Sequence, residues 1–346
     1  MSSKLLLRKR SRSVSDAAAR ALSELRKIFE PSAYIGDYYP PIADVPALRE
    51  IASQIAEAFN HTGTVNITDL SNPKILSHEL LENVSIFVFI SYVARILLEA
   101  FPQGDAEILD VGGGPTIYQH IGLSLSASHI THSEFSRTNR DAVVQWLKDE
   151  VGAHNWDNYF ELVRGIMLDD TLFMKCLESE KKHSNSLIKN RASLIEKLLT
   201  ADSVGPLKIH VRNCISEDVV HSDIFHPELA LETSKVFDVV TAHFVIESAS
   251  KMHTEWEKGM YHLLKRVRPG GYVIMTSIKN AAWYKVGNRS IPAAPINESH
   301  IVNALEANDI ECERLLTLEG SRGDHVGYSG MIFVIGRKRV NVTQAL

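Results

Sequence analysis

The stretch Glu107–Thr116, EILDVGGGPT, decides the fold of this chain. A short apolar run that ends in glycines is typical of a buried strand entering a turn. Because glycine has no side chain, the backbone of such a turn can approach a ligand closely. In open α/β sheets, ligands bind in the crevice beyond the carboxyl ends of the strands. We therefore predict a ligand site at this turn, although a purely structural turn would have the same residues.

Strands and helices alternate on the carboxyl side of this turn. The predicted order is strand 128–135, helix 137–150, a strand within 207–224, strand 237–248, helix 254–271, strand 272–278, helix Ser299–Asn308, and strands Cys312–Leu318 and Gly330–Arg337. This alternation favours a mainly parallel sheet with helices on both faces. The last two strands lack an intervening helix, so we expect them to form an antiparallel hairpin at one edge.

The chain before the turn is predicted to be mostly helical. Helices are expected at Asp16–Phe29, near Val45–Phe59 and near Asn72–Phe101, and prolines predict an irregular segment at 29–41, FEPSAYIGDYYPP. The most apolar run, Val84–Ala94, is bracketed by Glu82 and Arg95. It is shorter than the roughly 20 residues of a membrane span, so it predicts a buried helix.

The composition limits the class of protein. A net charge of −5, with 45% hydrophobic and 23% charged residues, is ordinary for a globular protein and gives no electrostatic case for nucleic acid as a partner. The three cysteines, Cys176, Cys214 and Cys312, have no ligand spacing, so we predict neither disulfides nor a metal site and expect a cytoplasmic setting. The basic residues 1–13 indicate a disordered tail, or a weak anionic-surface or targeting segment.

The residues around the glycine turn narrow the choice of ligand. Pro115 interrupts the glycine spacing of a dinucleotide site, and no Lys-Ser/Thr pair supports a phosphate loop, so a nucleoside cofactor carrying an amino acid fits better. Glu134 lies 24 residues after Asp110 at the end of a strand, where a carboxylate can accept both ribose hydroxyls. Asp223 can accept an adenine amino group. The alternative for Glu134 is an exposed glutamate in a loop, and the alternative for Asp223 is an aspartate that stabilises a turn or caps a helix.

Several longer stretches carry a resemblance to a known family. They are ILDVGGGPTIYQH at 108–120, SEFSRTNRDAVVQWLKDEVGAHNW at 133–156, FEPSAYIGDYY at 29–39, VIES at 245–248, RPGG at 268–271 and AAWYKVG at 281–287. In this order they resemble the S-adenosylmethionine-dependent methyltransferases of the nicotinamide, phenylethanolamine, indolethylamine and thioether group. The resemblance runs from about residue 24 to residue 338, with a longer insertion in the middle.

The resemblance implies an α/β, Rossmann-like class I methyltransferase fold with a mainly parallel seven-stranded sheet, an antiparallel carboxyl-terminal edge hairpin and an amino-terminal helical lid. The implied segments are the tail 1–13, the helical lid 14–104 and the methyltransferase domain 105–346, with an insertion at 165–206. The insertion is predicted to present a solvated helix face, with a substrate lid as the alternative.

The implied cofactor is S-adenosyl-L-methionine, with S-adenosyl-L-homocysteine as the product. The implied cofactor-binding residues are Tyr34 and Tyr39 over the amino-acid end, Gly112, Gly114, Thr116 and Tyr118 at the methionine part, Glu134 and Asn139 at the ribose, Asp223 and Ile224 at the adenine, and His243 against the cofactor. Glu134 departs from the family, which has an aspartate at this position.

The acceptor side follows from the same resemblance. Glu247 matches an acidic position that faces the amine, and Tyr284 matches an aromatic that packs on the substrate ring; the alternatives are a surface acid and a core tyrosine. The predicted catalytic residues are Glu247, His243 and Tyr284, with Asp324, His325 and Tyr328 as further candidates; a structural histidine is the alternative for His243. Ser277 and Ala281 depart from acidic positions of the nicotinamide and phenylethanolamine enzymes, so neither substrate can be transferred to this chain.

The expected function is methyl transfer to a nitrogen of a small-molecule amine or N-heterocycle, by in-line displacement in a lidded pocket. One alternative is a thioether or thiol S-methyltransferase of the same fold, and another is a catalytically inactive, cofactor-binding partner protein. A dinucleotide dehydrogenase is disfavoured by Pro115. We expect a monomer or weak homodimer that acts on a small molecule, without nucleic-acid or membrane partners.

Overall fold

The structure is a computed structural model. It describes residues 29–42, 44–70, 78–216, 219–231, 235–320 and 327–340. The predicted tail 1–13, nearly all of the helix expected at Asp16–Phe29, and the candidates Asp324 and His325 lie outside these residues.

An eight-stranded sheet and a separate two-stranded hairpin form the β structure of the described residues. The strands are β1 Thr64–Asn66, β2 Ala106–Val111, β3 Ala127–Glu134, β4 Val220–His221, β5 Phe237–His243, β6 Val267–Lys279, β7 Trp283–Val286, β8 Arg289–Pro292, β9 Ile310–Glu319 and β10 Gly330–Lys338. The large sheet has the order β1-β9-β10-β6-β5-β2-β3-β4, and β7 pairs with β8.

The prediction of a mainly parallel, Rossmann-like sheet is confirmed. Within the large sheet only β10 is antiparallel, and it pairs in that direction with both β6 and β9. The sheet has eight strands rather than seven, because β1 adds to β9 in parallel. The hairpin of β9 and β10 is therefore covered on its outer side and does not form the edge.

The helices surround this sheet. They are α1 Pro31–Tyr38, α2 Val45–His61, α3 His78–Ala100, α4 Gln119–Leu123, α5 Arg137–Leu147, α6 Asp157–Asp169, α7 Thr171–Lys181, α8 Ser186–Thr200, α9 Gly205–Cys214, α10 Ile246–Ala249, α11 His253–Leu264 and α12 Glu298–Glu306.

Two hydrophobic cores lie on opposite faces of the sheet. Side chains alternate along a strand, and so Ile108 belongs to one core and Leu109 to the other. The first core contains α2, α3 and the helices α6 to α9, and the second contains α11 and α12. Each face thereby buries one apolar side of the central strands, which supplies the main stabilising free energy of the fold.

The long helix α3 confirms the prediction that the most apolar stretch is a buried helix. Within the described residues, its segment Glu79–Ala100 is long and apolar enough to cross a membrane. However, 78% of the most apolar window of this segment is buried inside the protein. Phe87, Phe89 and Leu97 have no exposed surface.

Two local predictions were wrong, and a third was confirmed only in part. The segment expected to be irregular at 29–41 contains helix α1, because Pro31 stands at its first turn, where a missing N–H is tolerated. The range 207–224 contains the expected strand only as β4, Val220–His221, which pairs with β3, whereas helix α9 occupies most of the range. Ile215 adds an isolated parallel bridge to Ile130 of β3. The Pro-Gly-Gly sequence at 269–271 lies within β6 and not at a helix end, because the chain returns directly into the sheet after α11.

The insertion 165–206 folds as helices against the rest of the chain. Its Arg191 donates to the carbonyl oxygens of Ser124 and Leu125 at 2.8 and 3.1 Å, below α4. Asp169, at the end of α6, accepts two hydrogen bonds from Arg49 of α2. These contacts fix the insertion beside the amino-terminal helices.

Candidate active site

A deep cavity opens at the carboxyl ends of β2, β3 and β5, where the strand order reverses. The residues that line it are Phe29, Tyr34, Tyr38, Tyr39, Glu82, Asn83, Ile86, Gly112–Thr116, Tyr118, Glu134–Ser136, Asn139, Ser222–Ile224, His243–Val245, Ser248, Ala249, Ile278, Tyr284, Tyr328 and Met331. No residue of the insertion 165–206 is among them, so nothing in this lining supports the alternative of a substrate lid there.

The glycine turn forms one wall of the cavity. Gly112 and Gly114 have φ angles of +66° and +64°, a left-handed region that favours glycine. The N–H groups of Gly112 and Gly113 donate to the carbonyl oxygen of Ser133 at 2.7 and 3.1 Å, which ties the turn to β3. A Cβ atom on Gly114 would meet no atom within 4 Å, so its backbone faces open space. The turn is therefore shaped for close approach of a ligand.

Glu134 links this turn to the next one. One carboxylate oxygen accepts from the N–H of Gly114 at 3.2 Å, and the other accepts from Ser136 N at 2.8 Å and Asn139 Nδ2 at 3.1 Å. Glu134 is 8% exposed, so the alternative of an exposed loop glutamate was wrong. The Asn139 Oδ1 atom is buried and has no hydrogen-bond partner in the described part of the chain.

A buried polar cluster supports the glycine turn from below. Asp110 Oδ2 contacts His120 Nε2 at 2.8 Å and His132 Nδ1 at 3.3 Å, and Asp110 Oδ1 accepts from Thr241 Oγ1 at 2.7 Å. None of the three ionisable side chains is exposed. Hydrogen bonds and the nearby histidines hold the pKa of Asp110 well below its usual range against the opposing effect of burial, and burial lowers the pKa of His120. In this cluster, one carboxylate oxygen of Asp110 and one ring nitrogen of each histidine lie within 4.8 Å of one another. The spacing of these residues in the sequence did not predict the cluster.

Four tyrosines, from α1 and from the segments after α1 and after the glycine turn, line the cavity. Tyr39 donates its hydroxyl hydrogen to the Tyr118 hydroxyl oxygen at 2.9 Å, and their ring centroids are 5.1 Å apart. The Tyr34 ring lies 5.0 Å from Tyr38 and 6.0 Å from Tyr39. Burial raises the pKa of Tyr34 and of Tyr39 well above 10, so both hydroxyls stay neutral. The structure thus brings the predicted tyrosines together at one site.

Helix α1 contacts two other elements beside the cavity. The Tyr38 carbonyl oxygen accepts from Asn83 Nδ2 of α3 at 2.8 Å. On the opposite side, the Tyr38 hydroxyl accepts from Lys285 N of β7 at 3.1 Å, and a carboxylate oxygen of Asp37 accepts from Gly287 N. This short helix therefore bridges α3 and the hairpin of β7 and β8 across the cavity.

The loop after β4 provides the far end of the cavity. Asp223 and Ile224 both line it, and their contact with the adenine stays a prediction. Asp223 Oδ1 also accepts from Phe225 N at 2.9 Å, which is the turn contact considered as the alternative role. The two roles are compatible, because a carboxylate has two oxygens and each can accept more than one hydrogen bond.

His243 ends β5 and lines the cavity beside a strained residue. Its Nδ1 atom lies 3.0 Å from Thr276 Oγ1, and burial lowers its pKa to about 4, so the imidazole is neutral at pH 7. The next residue, Phe244, has a φ of +58° although it has a side chain, and its N–H donates to the carbonyl oxygen of Thr276. Such strain is found where the surrounding structure fixes a functional turn.

Glu247 lies just behind the cavity wall. It is 1% exposed and is not among the lining residues, and its Oε1 atom accepts from Ile278 N at 2.9 Å. Burial raises its pKa from 4.5 to about 7. The alternative of a strand-end surface acid was therefore wrong, and a direct role for Glu247 in proton transfer stays a prediction.

The end of the cavity beside β6 and β10 contains residues that the sequence reasoning missed or only suggested. Tyr284 and Tyr328 line it, as do Glu82 and Asn83 of α3. Glu82 is only 2% exposed. The available signal was a single acid two residues before Val84, at the start of the most apolar run of the chain.

The residues of the cavity fit S-adenosylmethionine. The buried, unpartnered Asn139 Oδ1 lies beside Glu134, which suits hydroxyl donors such as those of a ribose. The open space at Gly114 and the tyrosines above it fit a bulky group that carries an amino acid. In open α/β sheets, nucleoside-containing cofactors bind in such a crevice. The geometry is therefore compatible with the class of S-adenosylmethionine-dependent methyltransferases.

Comparison with known proteins places the chain within that class. The sequence profile of the NNMT/PNMT/TEMT family matches residues 74–339, so the chain belongs to this family and is an S-adenosylmethionine-dependent methyltransferase. Phenylethanolamine N-methyltransferase of Mus musculus is 23% identical over 310 residues, covering 88% of this chain and 81% of that protein. Nicotinamide N-methyltransferase of Caenorhabditis elegans is 22% identical over 252 residues, covering 73% and 81%.

Among solved structures, a methyltransferase from Methanosarcina mazei superposes with a TM-score of 0.40 at 11% identity. The superposed region covers 71% of this chain and 98% of the Methanosarcina mazei chain.

The raised pKa of Glu247 gives a prediction about stability. The folded chain binds the proton of this carboxyl more tightly than the unfolded chain does, so the free energy of unfolding falls as pH rises from 4.5 to about 7. This loss amounts to about 3 kcal/mol for the shift. We expect Glu247→Gln to remove that loss.

Urea unfolding at about pH 5 and pH 8 measures this effect. The stability of the variant, relative to the wild type, should be higher at pH 8 than at pH 5. An equal difference at both pH values would contradict the buried, proton-binding state of Glu247.

Proposed function

We propose that this protein transfers the methyl group of S-adenosylmethionine to a nitrogen of a small-molecule amine or N-heterocycle. The observation that supports this best is the cavity itself, which joins the Glu134 and glycine cradle to an aromatic, acid-containing end under α1. The named relatives are N-methyltransferases. A cavity covered by a helix suits a small acceptor better than a polymer.

When bound, the cofactor supplies an electrophilic methyl group on a sulfonium. Glu134 and Asn139 would hold the ribose, Asp223 and Ile224 the adenine, and Gly112, Gly114, Thr116 and Tyr118 the methionine part. Tyr34 of α1 and Tyr39, which follows α1, would cover the amino-acid end. This chain then contributes by alignment, because holding two reactants in near-attack geometry can lower a barrier by roughly 7–11 kcal/mol.

The transfer is an in-line displacement. A neutral acceptor nitrogen held in line with the methyl group would form the new N–C bond as the S–C bond breaks, with S-adenosylhomocysteine as the product. The aromatic wall excludes water from the nucleophile. Tyr284 would pack on the acceptor, and the neutral His243 would accept a hydrogen bond from it. Glu247, with a pKa of about 7, could accept a proton from the acceptor through an intermediate group.

Incubation with methyl-labelled cofactor and a panel of amines, pyridines and thioethers tests the proposal. We expect label on a nitrogen acceptor. Label on thioethers alone would instead support S-methyl transfer, and S-adenosylhomocysteine binding without any turnover would support a cofactor-binding partner protein.

The variant Glu247→Gln tests whether Glu247 acts as a base toward the acceptor. If Glu247 removes a proton, kcat should fall most for amines that are protonated at neutral pH, and much less for pyridines. Equal losses for both acceptor types would contradict the role as a base.

A further inference from the structure

Three side chains with metal-binding groups meet beneath the glycine turn, each from a different element. Asp110 lies in β2, His132 in β3 and His120 in α4. None of the three side chains is exposed, and none is among the residues that line the cavity. The proposed methyl transfer uses none of them, so it does not explain why two histidines are buried beside one carboxylate.

The distances between the three polar atoms resemble those of a coordination shell. Asp110 Oδ2 lies 2.8 Å from His120 Nε2 and 3.3 Å from His132 Nδ1, and the two nitrogens are 3.4 Å apart. Two ligands of a tetrahedral zinc ion, each about 2.0–2.1 Å from the metal, are about 3.3 Å apart. An ion of this size would therefore need only a small widening of the shortest contact to reach all three atoms.

The two imidazole rings make their polar contacts toward one point. Their inward nitrogens form the contacts with Asp110 and with each other. Their outward nitrogens, His120 Nδ1 and His132 Nε2, are buried and have no hydrogen-bond partner within the described ranges of the chain. Thr241 Oγ1 donates to Asp110 Oδ1 at 2.7 Å, which orients the carboxylate and leaves Oδ2 on the side of the histidines.

The charge of the cluster favours a cation at this point. Although burial raises the pKa of Asp110, hydrogen bonds from the histidines hold it well below its usual range, so the carboxylate is ionised. Burial lowers the pKa of His120, which disfavours its charged form. No lysine or arginine of the described residues forms an ion pair with Asp110. A buried carboxylate is costly unless it is paired or coordinates a metal.

The donor set selects the class of ion. Two imidazole nitrogens and one carboxylate oxygen suit first-row transition metals such as Zn²⁺, whereas Mg²⁺ and Ca²⁺ prefer oxygen ligands. A neutral imidazole is the form that binds a metal.

We propose that Asp110, His120 and His132 bind one divalent transition-metal ion of the zinc class, which joins β2, β3 and α4. A water or the Gln119 amide, whose nitrogen lies 3.2 Å from Asp110 Oδ2, would complete the shell. The ion is structural, because none of its three ligands lines the cavity. It also braces the glycine turn, since a Cβ atom on Gly113 would collide with Asp110 and His132. The site is independent of the proposed methyl transfer.

The metal content of the full chain tests the proposal. A closed site takes up its ion as the chain folds, so the protein is expressed in medium supplemented with Zn²⁺ or Co²⁺ and is then dialysed against buffer without metal. We expect about one equivalent of Zn²⁺ by elemental analysis. The Co²⁺ form should show the visible absorption of a four-coordinate cobalt ion. The melting temperature should exceed that of protein from metal-depleted medium by roughly 5 °C or more.

The variant His132→Leu removes one ligand and keeps an apolar side chain of similar size. It should contain less than about a tenth of an equivalent of metal, and its melting temperature should not depend on the metal in the medium. A cluster held by hydrogen bonds alone predicts a different result, in which wild type and variant differ in stability by the same amount in both media. Should this variant not fold, His120→Leu, which removes the ligand on α4, takes its place.

His253→Gln is the matched control, because it alters a second grouping of two histidines and an acid at a partly exposed position. The rings of His253 and His300 are 4.3 Å apart, and His253 Nε2 lies 3.2 Å from a carboxylate oxygen of Glu257. The control should keep the metal content of the wild type. Wild-type protein without metal after dialysis, or equal metal content in His132→Leu and the wild type, would overturn the proposal. Loss of the metal in His253→Gln alone would place the ion at the surface and would also overturn it.

Discussion

Replacing Glu134 with alanine is expected to weaken the binding of S-adenosylhomocysteine by roughly a hundredfold or more. The variant would lose two charge-assisted hydrogen bonds to the ribose hydroxyls, each of about 1.5 kcal/mol or more. The variant also loses the carboxylate that holds Gly114, Ser136 and Asn139 in place. Calorimetry with S-adenosylhomocysteine measures the dissociation constant directly.

Glu107→Ala is the control for this experiment. Glu107 lies near the amino-terminal end of β2, away from the glycine turn, where it forms an exposed ion pair with Lys235 at 2.7 Å. Exposed pairs contribute little to stability, so the control should bind like the wild type. Equal affinity in Glu134→Ala and the wild type would remove Glu134 from the cofactor site.

Two glycine substitutions should differ in their main effect: one should mainly lower stability, and the other should mainly lower cofactor affinity. In Gly112→Ala, the new Cβ atom would lie 2.4 Å from Val245 Cγ1, in a backbone with a φ of +66°. The left-handed strain and the overpacking together should lower the free energy of unfolding by about 3 kcal/mol. In Gly114→Ala the strain alone should cost about 1 kcal/mol. Its Cβ atom projects into the cavity and should mainly reduce cofactor affinity.

Urea unfolding and calorimetry on both variants check this contrast. Gly36→Ala in α1 is the control for the substitution itself, since its Cβ atom would meet nothing within 4 Å. Equal losses of stability in Gly112→Ala and Gly114→Ala would contradict the geometry of the turn.

The sequence was most informative where chemistry and local structure coincide. The glycines after β2 and the acid at the end of β3 follow from the grammar of one strand-turn unit, and the structure brings Gly114 and Glu134 within hydrogen-bond distance. Tyr34 and Tyr39 were predicted only through the family resemblance, because a tyrosine in a helix has no pattern that distinguishes a cavity wall from a core.

The features that the sequence did not predict depend on long-range contacts. Glu82 and Tyr328 are 246 residues apart, and nothing near either residue in the sequence indicates the other. Strand β1 has three residues, too few for a periodic pattern. Helix α1 was predicted as irregular because prolines usually break helices, whereas Pro31 occupies the first turn, where its fixed φ fits.

The order of the sheet has a consequence for biosynthesis. Strand β10, at 330–338, is inserted between β6 and β9, and β1 pairs only with β9. A nascent chain therefore cannot complete the sheet until residue 338 has left the ribosome. Until then β6 and β9 each expose an unpaired edge, which invites pairing with other chains. The sheet therefore cannot close before β10 is available, and truncations before β10 should aggregate rather than yield a smaller folded unit.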